Sequence, residues 1–364
     1  MKLIFLVGAR PNFVKLAPLY AKVKEHNLLS PVIVHTGQHY DYNMSEVFFN
    51  QLKIPAPDYH LEIGSGTHAI QTAQIMIAFE KLCVALKPDM VIIIGDVNST
   101  VAGALVASKL MIPLAHVEAG LRSFNKSMPE EINRIVSDHI SDLLFVPSKK
   151  GIENLTNEGL LSKSYFTGDV MYDAVNMFVN STNYESSILT KYKLTEKRYY
   201  VATLHRPYNV DNKVILKEII GAFSKLDYPV VFSVHPRTLK NLREFNISVP
   251  SSVIITEPLG YLDFLCLENK SLKIITDSGG IQKEAYFLKV PCVTLRSETE
   301  WTETVEVHAN ILVKERTTAS IVEAVLQKRN IDFTHPIYGE GNASELIVNH
   351  IITYLKIKSE DNYH

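Results

Sequence analysis

The chain lacks most features that mark extracellular, membrane-bound or nucleic-acid-binding proteins. Its 364 residues include only Cys83, Cys266 and Cys292, which argues against a disulfide framework and a CxxC metal site. Lys and Arg number 37 against 39 Asp and Glu, so no basic surface for nucleic acid is indicated. No unbroken apolar run approaches the roughly 18 residues of a membrane span. These absences favour a soluble cytoplasmic protein with no nucleic-acid or membrane partner.

A leader peptide and a dinucleotide-binding fingerprint are also missing. Residues 1–8, MKLIFLVG, form a short apolar run without a small-residue cleavage site, so they predict a first strand rather than a signal peptide. The following turn, GARP, is not the GxGxxG pattern that binds dinucleotides in Rossmann folds. No pattern has metal-ligand spacing either. The sequence therefore predicts neither an NAD site nor a metal site.

Short β-rich apolar runs alternate with helical patterns along the chain, which is typical of doubly wound parallel sheets. The first runs are LIFLV, PVIVHT, MVIII, PLAHV and LLFV, and the alternation restarts with YYVATL after the polar stretch NSTNYESS at 180–187. A chain of this length is expected to form two domains. We predict an α/β protein with Rossmann-like domains at 1–169 and 170–342 that face each other across a cleft. An amphipathic helix at 343–360 is expected to pack back on the first domain.

Two acidic signatures follow predicted strands in the first half. They are GDVNST, with Asp96, and HVEAGLR, with Glu118. Open α/β sheets bind ligands at the carboxyl ends of their strands, so both carboxylates are predicted to lie in one crevice. A single acid in this position is more often a helix cap, but Asn98, Ser99 or Thr100 could cap the helix after Asp96. The pairing of the two acids therefore favours a function for both.

Two further motifs place charges at predicted helix starts. In GARPNFVK, Arg10 and Lys15 lie near exposed amides after a tight turn, which fits an anion site as well as an ordinary strand-to-helix turn. In MPEEINR, Glu130 and Arg134 are four residues apart on one helix face, where an ion pair could hold the carboxylate toward a cleft. The helix dipole alone would also explain acids in this first turn.

The second half carries patterns suited to an anionic ligand. TLHRP, with His205, and VHPR each place a His and an Arg at a strand end. In TDSGGIQKEA, Ser278, Gly279 and Gly280 end a strand and open a helix, so a hydroxyl and free N–H groups can bind phosphate oxygens. Glu284, one turn further, could accept hydrogen bonds from a ribose diol. This order favours a nucleotide over a glycine-rich turn beside a solvated glutamate.

Together these motifs resemble the non-hydrolysing UDP-N-acetylglucosamine 2-epimerase family, whose two Rossmann-like domains have the glycosyltransferase-B arrangement. The resemblance extends from GARPNFVK through HTGQHYD, GDVNST, HVEAGLR, PEEINR, TLHR, HPR and TDSGGIQKEA to RSETEW at 296–301. It implies that Asp96, Glu118, Glu130 and His205 are catalytic. The substrate-binding residues that it implies are Arg10, Lys15, Arg134, Ser278, Gly279, Gly280, Glu284 and Arg296. Gln38, His39 and Gln71 resemble residues of a regulatory pocket for a second UDP-sugar.

The resemblance also implies a reaction and an assembly. The family eliminates UDP to form a glycal and adds it back, using a UDP-sugar substrate and no cofactor, and the expected assembly is a homodimer. A hydrolysing 2-epimerase that releases free N-acetylmannosamine and a glycosyltransferase of the same fold are the alternatives, followed by a non-catalytic nucleotide-sugar sensor.

One segment departs from the family pattern. This chain reads HRPYN at 205–209 where the family commonly reads HRREN, so Pro207 and Tyr208 replace an Arg and a Glu. In addition, LRSFNKSMPEEINR and SETEW resemble the branch that acts on UDP-2,3-diacetamido-2,3-dideoxyglucuronate. The substituents at C3 and C6 of the sugar are therefore left open by the sequence.

Overall fold

The structure, a computed structural model, describes residues 1–37, 46–179 and 187–361. The chain folds into two compact units, Met1–Met177 with Pro336–His364, and Phe178–His335. The second unit lies within the predicted range 170–342, and the domain limits named from the sequence stay a prediction. Gln38 and His39, proposed for a regulatory pocket, lie outside the described residues.

The first unit is built on a parallel sheet. Its strands in the described residues are β1 (Lys2–Val7), β2 (Ser30–His35), β3 (Tyr59–His60), β4 (Met90–Ile94), β5 (Leu114–Val117), β6 (Leu143–Val146) and β7 (Ser164–Phe166). Their order is β3-β2-β1-β4-β5-β6-β7, and every neighbouring pair is parallel. The central strand β4 is buried throughout, as expected where helices cover both faces of a sheet. The apolar runs predicted as strands are confirmed, whereas the short strands β3 and β7 carry no such run.

Helices connect these strands. They are α1 (Arg10–Lys24), α2 (Glu46–Leu52), α3 (His68–Leu86), α4 (Asn98–Lys109), α5 (Pro129–Ile140), α6 (Lys149–Asn157) and α7 (Val170–Val179), with a 3-10 turn at Leu161–Lys163. Two of them begin with side-chain caps: the Thr67 hydroxyl accepts a hydrogen bond from the Ile70 amide at the start of α3, and the Ser148 hydroxyl accepts one from the Gly151 amide at the start of α6. The final helix of the chain, Ala343–Asp361, packs against α1.

Helix α3 has an unusual apolar surface. It is the one helix, among the described residues, that is long and apolar enough to cross a membrane by length and composition alone. Core helices of soluble proteins also pass this test. One face of α3 contributes Phe79 and Cys83 to the core. The opposite face exposes Ile70, Ile77 and Val84 by 56%, 58% and 59%.

The second unit repeats the architecture. Its strands are β8 (Tyr200–Thr203), β9 (Val230–Ser233), β10 (Val253–Thr256), β11 (Lys273–Thr276), β12 (Cys292–Thr294) and β13 (Asn310–Leu312), in the order β10-β9-β8-β11-β12-β13. Its helices are α8 (Ile188–Lys191), α9 (Pro207–Val210), α10 (Lys213–Phe223), α11 (Pro236–Glu244), α12 (Tyr261–Lys270), α13 (Gly279–Phe287), α14 (Thr302–Glu306) and α15 (Thr318–Leu326), and the helix Ala343–Asp361 of the first unit is α16. The predicted class of two doubly wound α/β units is confirmed.

The strand order reverses once in each sheet. In the first unit the reversal lies between β1 and β4, and in the second between β8 and β11. Doubly wound sheets bind ligands at such switch points, outside the carboxyl ends of the strands. The motifs GARP and GDVNST follow β1 and β4, while HRPYN and SGG follow β8 and β11. The topology therefore gathers the predicted site residues at the switch point of each unit.

Candidate active site

The first unit holds the GARP turn against the GDVNST turn. Asn12 Oδ1 accepts hydrogen bonds from the amides of Gly8 and Ala9, at 3.4 and 3.0 Å. Asn12 Nδ2 donates to the Ile94 carbonyl at 3.1 Å, which ties α1 to the end of β4. A β-carbon on Gly8 would collide with the Ser99 side chain, so this close approach requires glycine.

Lys15 and Glu118 form an ion pair at the same edge of the sheet. Lys15 Nζ contacts Glu118 Oε2, and the two side chains are only 13% and 11% exposed. Glu118 also has a left-handed backbone, with φ of 72°, which costs a non-glycine residue about 1–3 kcal/mol. Gly120, two residues later, would place a β-carbon 2.7 Å from the Gly151 carbonyl oxygen, so the segment is closely packed. Strain held by tight packing supports a functional role for Glu118.

Arg134 joins two carboxylates, but not the pair expected from the sequence. Its Nη1 donates to Asp96 Oδ2 at 2.6 Å, and its Nη2 donates to Glu131 Oε2 at 2.8 Å. The expected ion pair of Arg134 with Glu130 is therefore wrong. Glu131 is buried, and its carboxylate also accepts hydrogen bonds from the amides at 123 and 124, so it fixes both Arg134 and the preceding loop.

The environment of Asp96 raises the pKa of its carboxyl group. Burial is the largest cause, the positive charge of Arg134 opposes it, and the negative charge of Glu118 adds to it. The side chain nevertheless keeps 33% of its surface exposed, so a ligand can reach it. A carboxyl group with a raised pKa is suited to exchanging protons near neutral pH.

A cavity of about 260 Å³ opens beside Asp96. Its lining residues are Ser65, Gly66, His68, Gln71, Asp96, Val97, Asn98, Pro129, Glu130 and Asn133. Gln71 is buried, accepts a hydrogen bond from Asn98 Nδ2 at 2.8 Å and donates one to the Gly64 carbonyl at 3.0 Å. Asp96, Glu130 and Gln71, named separately from the sequence, thus share one cavity.

His116, which the sequence analysis did not single out, connects the segments that carry the acids. It is fully buried on β5, and its Nε2 lies 2.8 Å from the carbonyl oxygen of Gly95, directly before Asp96. Its Nδ1 lies 2.7 Å from Asp138 Oδ1 on α5, the helix that begins beside Glu130. Both ring nitrogens thus lie within hydrogen-bond distance of an oxygen atom of another segment. A polar residue within the apolar run PLAHV was the available signal.

Asp138 is the buried carboxylate that His116 contacts. It accepts hydrogen bonds from the Gly120 amide at 3.1 Å and from Arg122 Nη1 at 2.7 Å, besides its contact with His116. Burial acts to raise the pKa of Asp138, but His116 and Arg122 together hold it below its usual value. Asp138 therefore anchors the HVEAGLR segment to α5 as a carboxylate.

In the second unit, buried Asp277 holds the HRPYN segment. Its carboxylate accepts hydrogen bonds from the amides of His205 and Arg206, each at 3.0 Å, and from Asn209 Nδ2 at 2.9 Å. Burial acts to raise the pKa of Asp277, but His205, Asn209 and the Arg206 amide together lower it. His205 Nδ1 lies 3.1 Å from Asp277 Oδ1, while 43% of the His205 side chain is exposed. Asp277 thus fixes the orientation of the ring, and the exposed part of the ring remains accessible to a ligand.

The SGG turn lies at the start of α13. Ser278 is the N-cap residue, and a β-carbon on Gly280 would meet no atom within 4 Å, so the approach to this amide is open. At Gly279 a β-carbon would collide with the Glu300 carboxylate, and Glu300 pairs with Arg296 at 2.9 Å. The turn can present N–H groups to a phosphate, with Arg296 nearby.

Polar side chains support this turn from below. Gln282 Nε2 donates to the Ser278 carbonyl at 3.1 Å, and Gln282 Oε1 accepts from Thr299 Oγ1 at 2.6 Å and Asn310 Nδ2 at 2.9 Å. Gln282 and Asn310 are almost fully buried, so their hydrogen bonds fix the turn strongly. Neither was identified from the sequence, because their partners are distant along the chain.

Glu284 lies next to a second buried glutamate. Glu284 is 7% exposed, and Glu268 on α12 is fully buried. The pKa of Glu268 is raised far above its usual value, first by burial and then by the neighbouring Glu284 carboxylate. Since two adjacent buried carboxyl groups do not both ionise readily, the protonated form of Glu268 is favoured.

The remaining predicted motif, VHPR, is used locally. Arg237 pairs with Asp211, and the His235 ring accepts a hydrogen bond from the Arg237 amide at the start of α11. Within the described ranges, no group of three or more His, Cys, Asp or Glu side chains could hold a metal ion.

Comparison with known proteins identifies the family. A sequence profile described as UDP-N-acetylglucosamine 2-epimerase matches residues 21–352. The chain belongs to this family. It is 47% identical over 362 residues to a UDP-N-acetylglucosamine 2-epimerase homolog of Methanococcus maripaludis, covering 96% of this chain and 98% of that protein. Family and relatives make it a UDP-sugar 2-epimerase, an isomerase.

Two other relatives bear on substrate and fold. The UDP-2,3-diacetamido-2,3-dideoxy-D-glucuronate 2-epimerase of Pseudomonas aeruginosa is 43% identical over 359 residues, covering 96% of this chain and 99% of its own. The crystal structure of Methanocaldococcus jannaschii UDP-GlcNAc 2-epimerase in complex with UDP-GlcNAc and UDP is similar with a TM-score of 0.85. The two chains are 44% identical, and the similarity covers 97% of this chain and 100% of that chain.

Proposed function

We propose that the enzyme interconverts UDP-N-acetylglucosamine and UDP-N-acetylmannosamine, or the corresponding 2,3-diacetamido-glucuronate pair, without hydrolysing the nucleotide sugar. The grouping of Asp96, Glu118 and Glu130 carries this proposal. Asp96 lies close enough to the other two that their negative charges raise the pKa of its carboxyl group. Binding a sugar does not require three clustered carboxylates. Inverting C2 does require groups that remove a proton and return one.

The proposed reaction proceeds through a glycal. The hydrogen at C2 is not acidic, because no carbonyl group adjoins that carbon. Breaking the anomeric C–O bond releases UDP while the C2 proton is removed, and a C1–C2 double bond forms. In the return step a proton is delivered to the opposite face of C2 and UDP re-forms the bond to C1. Electrons and atoms balance without a redox cofactor or a metal.

We assign the two proton transfers to the group Asp96, Glu118 and Glu130. The raised pKa of Asp96 supports its exchange of a proton, and Arg134 fixes the orientation of its carboxylate. The contact with Lys15 fixes the position of the Glu118 side chain, as a group that exchanges a proton with C2 requires. Isotope exchange in the three single variants assigns each acid to a face of C2.

The departing UDP needs groups that stabilise its growing charge. Exposed amides at a helix start and nearby cations do this most effectively, because they are already oriented when the bond breaks. For this role we propose Arg10, His205, Ser278, Gly279 and Gly280. Lys15 and Arg134 are proposed to lie beside the sugar, Glu284 to accept the ribose hydroxyls, and Arg296 to be a further substrate-binding cation.

Proton NMR in deuterium oxide tests the function. The enzyme is incubated with UDP-N-acetylglucosamine or with UDP-2,3-diacetamido-glucuronate and no acceptor. We expect deuterium at C2 and an intact epimeric UDP-sugar with one of the two substrates. Free N-acetylmannosamine with UDP would instead identify a hydrolase, and the absence of label with both substrates would contradict the proposal.

We also propose a homodimer, with α3 as the interface. Ile70, Ile77 and Val84 are spaced seven residues apart, so they form one apolar stripe on the exposed face of α3. We expect light scattering to show a dimer and Ile77→Glu to give a monomer. Val214→Glu, at an apolar residue of the second unit that is 68% exposed, serves as the control and should leave the dimer intact. A monomeric native enzyme would contradict this assembly.

A cytoplasmic location is the final part of the proposal. Cys83, Cys266 and Cys292 are all free thiols, and two of them are buried. Such unpaired cysteines fit a reducing compartment.

A further inference from the structure

Three arginines of the second unit surround Tyr208, in the segment that departs from the family pattern. Arg206 follows β8, Arg296 follows β12 and Arg316 follows β13. The centre of the Arg316 guanidinium lies 5.2 Å from the centre of the Tyr208 ring. The positive charges of Arg296 and Arg206 and the negative charge of Asp277 also act on the Tyr208 hydroxyl. Tyr208 is therefore a common neighbour of three cations.

Each of these arginines has an unsatisfied donor. Arg206 Nε, Arg296 Nη1 and Arg316 Nε are buried nitrogen atoms without a hydrogen-bond partner. In the described part of the chain, Arg206 and Arg316 form no ion pair, and Arg296 pairs through Nη2 with Glu300 alone. Buried charged donors are normally paired. An anion bound among them would satisfy the free donors.

The arginine cluster is fixed beside the turn assigned to the diphosphate. Asp277 directly precedes Ser278. Its carboxylate accepts hydrogen bonds from the Arg206 amide at 3.0 Å and from Asn209 Nδ2 at 2.9 Å. Asn209 Nδ2 also lies 3.0 Å from the carbonyl oxygen of Leu295, directly before Arg296. In the sheet, β11 lies between β8 and β12, so Arg206 and Arg296 follow the two strands that flank β11, and β11 itself leads into Ser278. The cluster thus adjoins the SGG turn but consists of different donors.

We propose that Arg206, Arg296, Arg316 and the Tyr208 hydroxyl bind the carboxylate of a UDP-uronic acid. This inference rests on the proposed function and names its substrate class. A hexuronate carries a carboxylate at C6 where its parent hexose carries a CH2OH group. This planar anion is one that guanidinium groups bind through paired N–H donors. The diphosphate already has the amides of the SGG turn and His205, so an additional anion is needed to engage the arginines.

Calorimetric titration with UDP-glucuronate and UDP-glucose tests the site, because these probes differ only in the C6 carboxylate. The native enzyme is expected to bind UDP-glucuronate more tightly by about tenfold or more, as charge-assisted hydrogen bonds predict. Arg316→Gln should abolish most of this preference and leave the affinity for UDP itself nearly unchanged. The matched control Arg243→Gln, at an exposed arginine of α11, should retain the preference.

A second variant and two outcomes keep the test decisive. Tyr208→Phe should reduce the preference by a few-fold, and it serves in place of Arg316→Gln if that variant fails to fold. Equal affinity of the native enzyme for both probes would overturn the proposal. A parallel loss of affinity for UDP, UDP-glucose and UDP-glucuronate in Arg316→Gln would also overturn it, by assigning the arginines to the diphosphate.

Failure of this site and failure of the proposed function are distinguishable. The preference is read from binding alone, whereas epimerisation is read from deuterium at C2. A native enzyme that epimerises UDP-N-acetylglucosamine without preferring UDP-glucuronate contradicts the carboxylate site only. Preference for UDP-glucuronate without exchange at C2 of either substrate contradicts the proposed function and leaves the carboxylate site standing.

Discussion

The two units differ in how their charged side chains are satisfied. In the first unit the carboxylates of the site already have cationic partners: Asp96 with Arg134, Glu118 with Lys15, and Asp138 with His116 and Arg122. In the second unit Arg206 and Arg316 have no carboxylate partner among the described residues, and Glu268 lies beside another acid. The acids of the first unit are therefore already paired, whereas the second unit keeps buried donors that the proposed ligand would satisfy.

This difference matches the tasks proposed for the units. Proton transfer requires acids held in fixed positions, since small displacements of reacting groups slow a reaction severely. Holding a nucleotide requires donors that no protein group has already occupied. Substitutions of the paired acids Asp96 and Glu118, of His116 and of Glu268 test this comparison in turn.

The largest effect is expected for the acids of the first unit. Asp96→Asn or Glu118→Gln should slow epimerisation by on the order of a hundredfold or more, because each removes a group proposed to transfer a proton. Affinity for UDP, measured by calorimetry, should stay near the native value. Glu153→Gln, at an exposed residue of α6, is the control. Near-native turnover in either variant would remove that residue from the catalytic group.

A smaller loss of activity is expected for a substitution of His116, which connects the segments that carry those acids. His116→Asn would break at least one of the contacts with Gly95 and Asp138, so the segments bearing Asp96 and Glu118 should shift. We expect kcat to fall roughly tenfold to a hundredfold with little change in KM, and the pH dependence of kcat to shift. His139→Asn, at an exposed histidine of α5, should change neither quantity. An unaltered pH profile in His116→Asn would reduce its role to folding.

The smallest effect concerns the second unit and is one of stability. The pKa of Glu268 lies near 4.5 in the unfolded chain and far higher in the folded one, so the folded chain binds the extra proton. Its stabilising contribution is complete below about pH 4.5 and is lost as pH rises toward the folded pKa, by about 1.4 kcal/mol per pH unit. Glu268→Gln cannot ionise and should flatten this slope.

Urea unfolding at several pH values between 5 and 8 measures the slope. Glu323→Gln, at an exposed residue of α15, should behave like the native chain. Identical pH dependence in Glu268→Gln and the native chain would contradict the raised pKa of Glu268.

The sequence predicted features that depend on neighbouring residues. Buried strands such as β4 appear as unbroken apolar runs, and the SGG turn appears as small residues between a strand and a helix. Such patterns are local, so they can be recognised without knowing the fold. They were sufficient to predict both parallel sheets and the residues at their switch points.

Side-chain partners could not be predicted in the same way. Spacing on α5 favoured Glu130 as the partner of Arg134, but the buried carboxylate of Glu131 competes successfully for it. His116 meets Asp138 across 22 positions of sequence, a distance at which spacing carries no information. Glu268 lies in an apolar stretch of α12, and only the packing of α13 shows that it faces Glu284.

At position 118, selection for stability and selection for catalytic activity favour different residues. Glycine or asparagine would adopt its positive φ at little cost, so either would be favoured by selection for heat tolerance. Both would eliminate the carboxylate. Selection for stability alone is therefore expected to cost the enzyme its turnover through a substitution at this position. A glutamate with this backbone conformation is what a catalytic role at position 118 predicts.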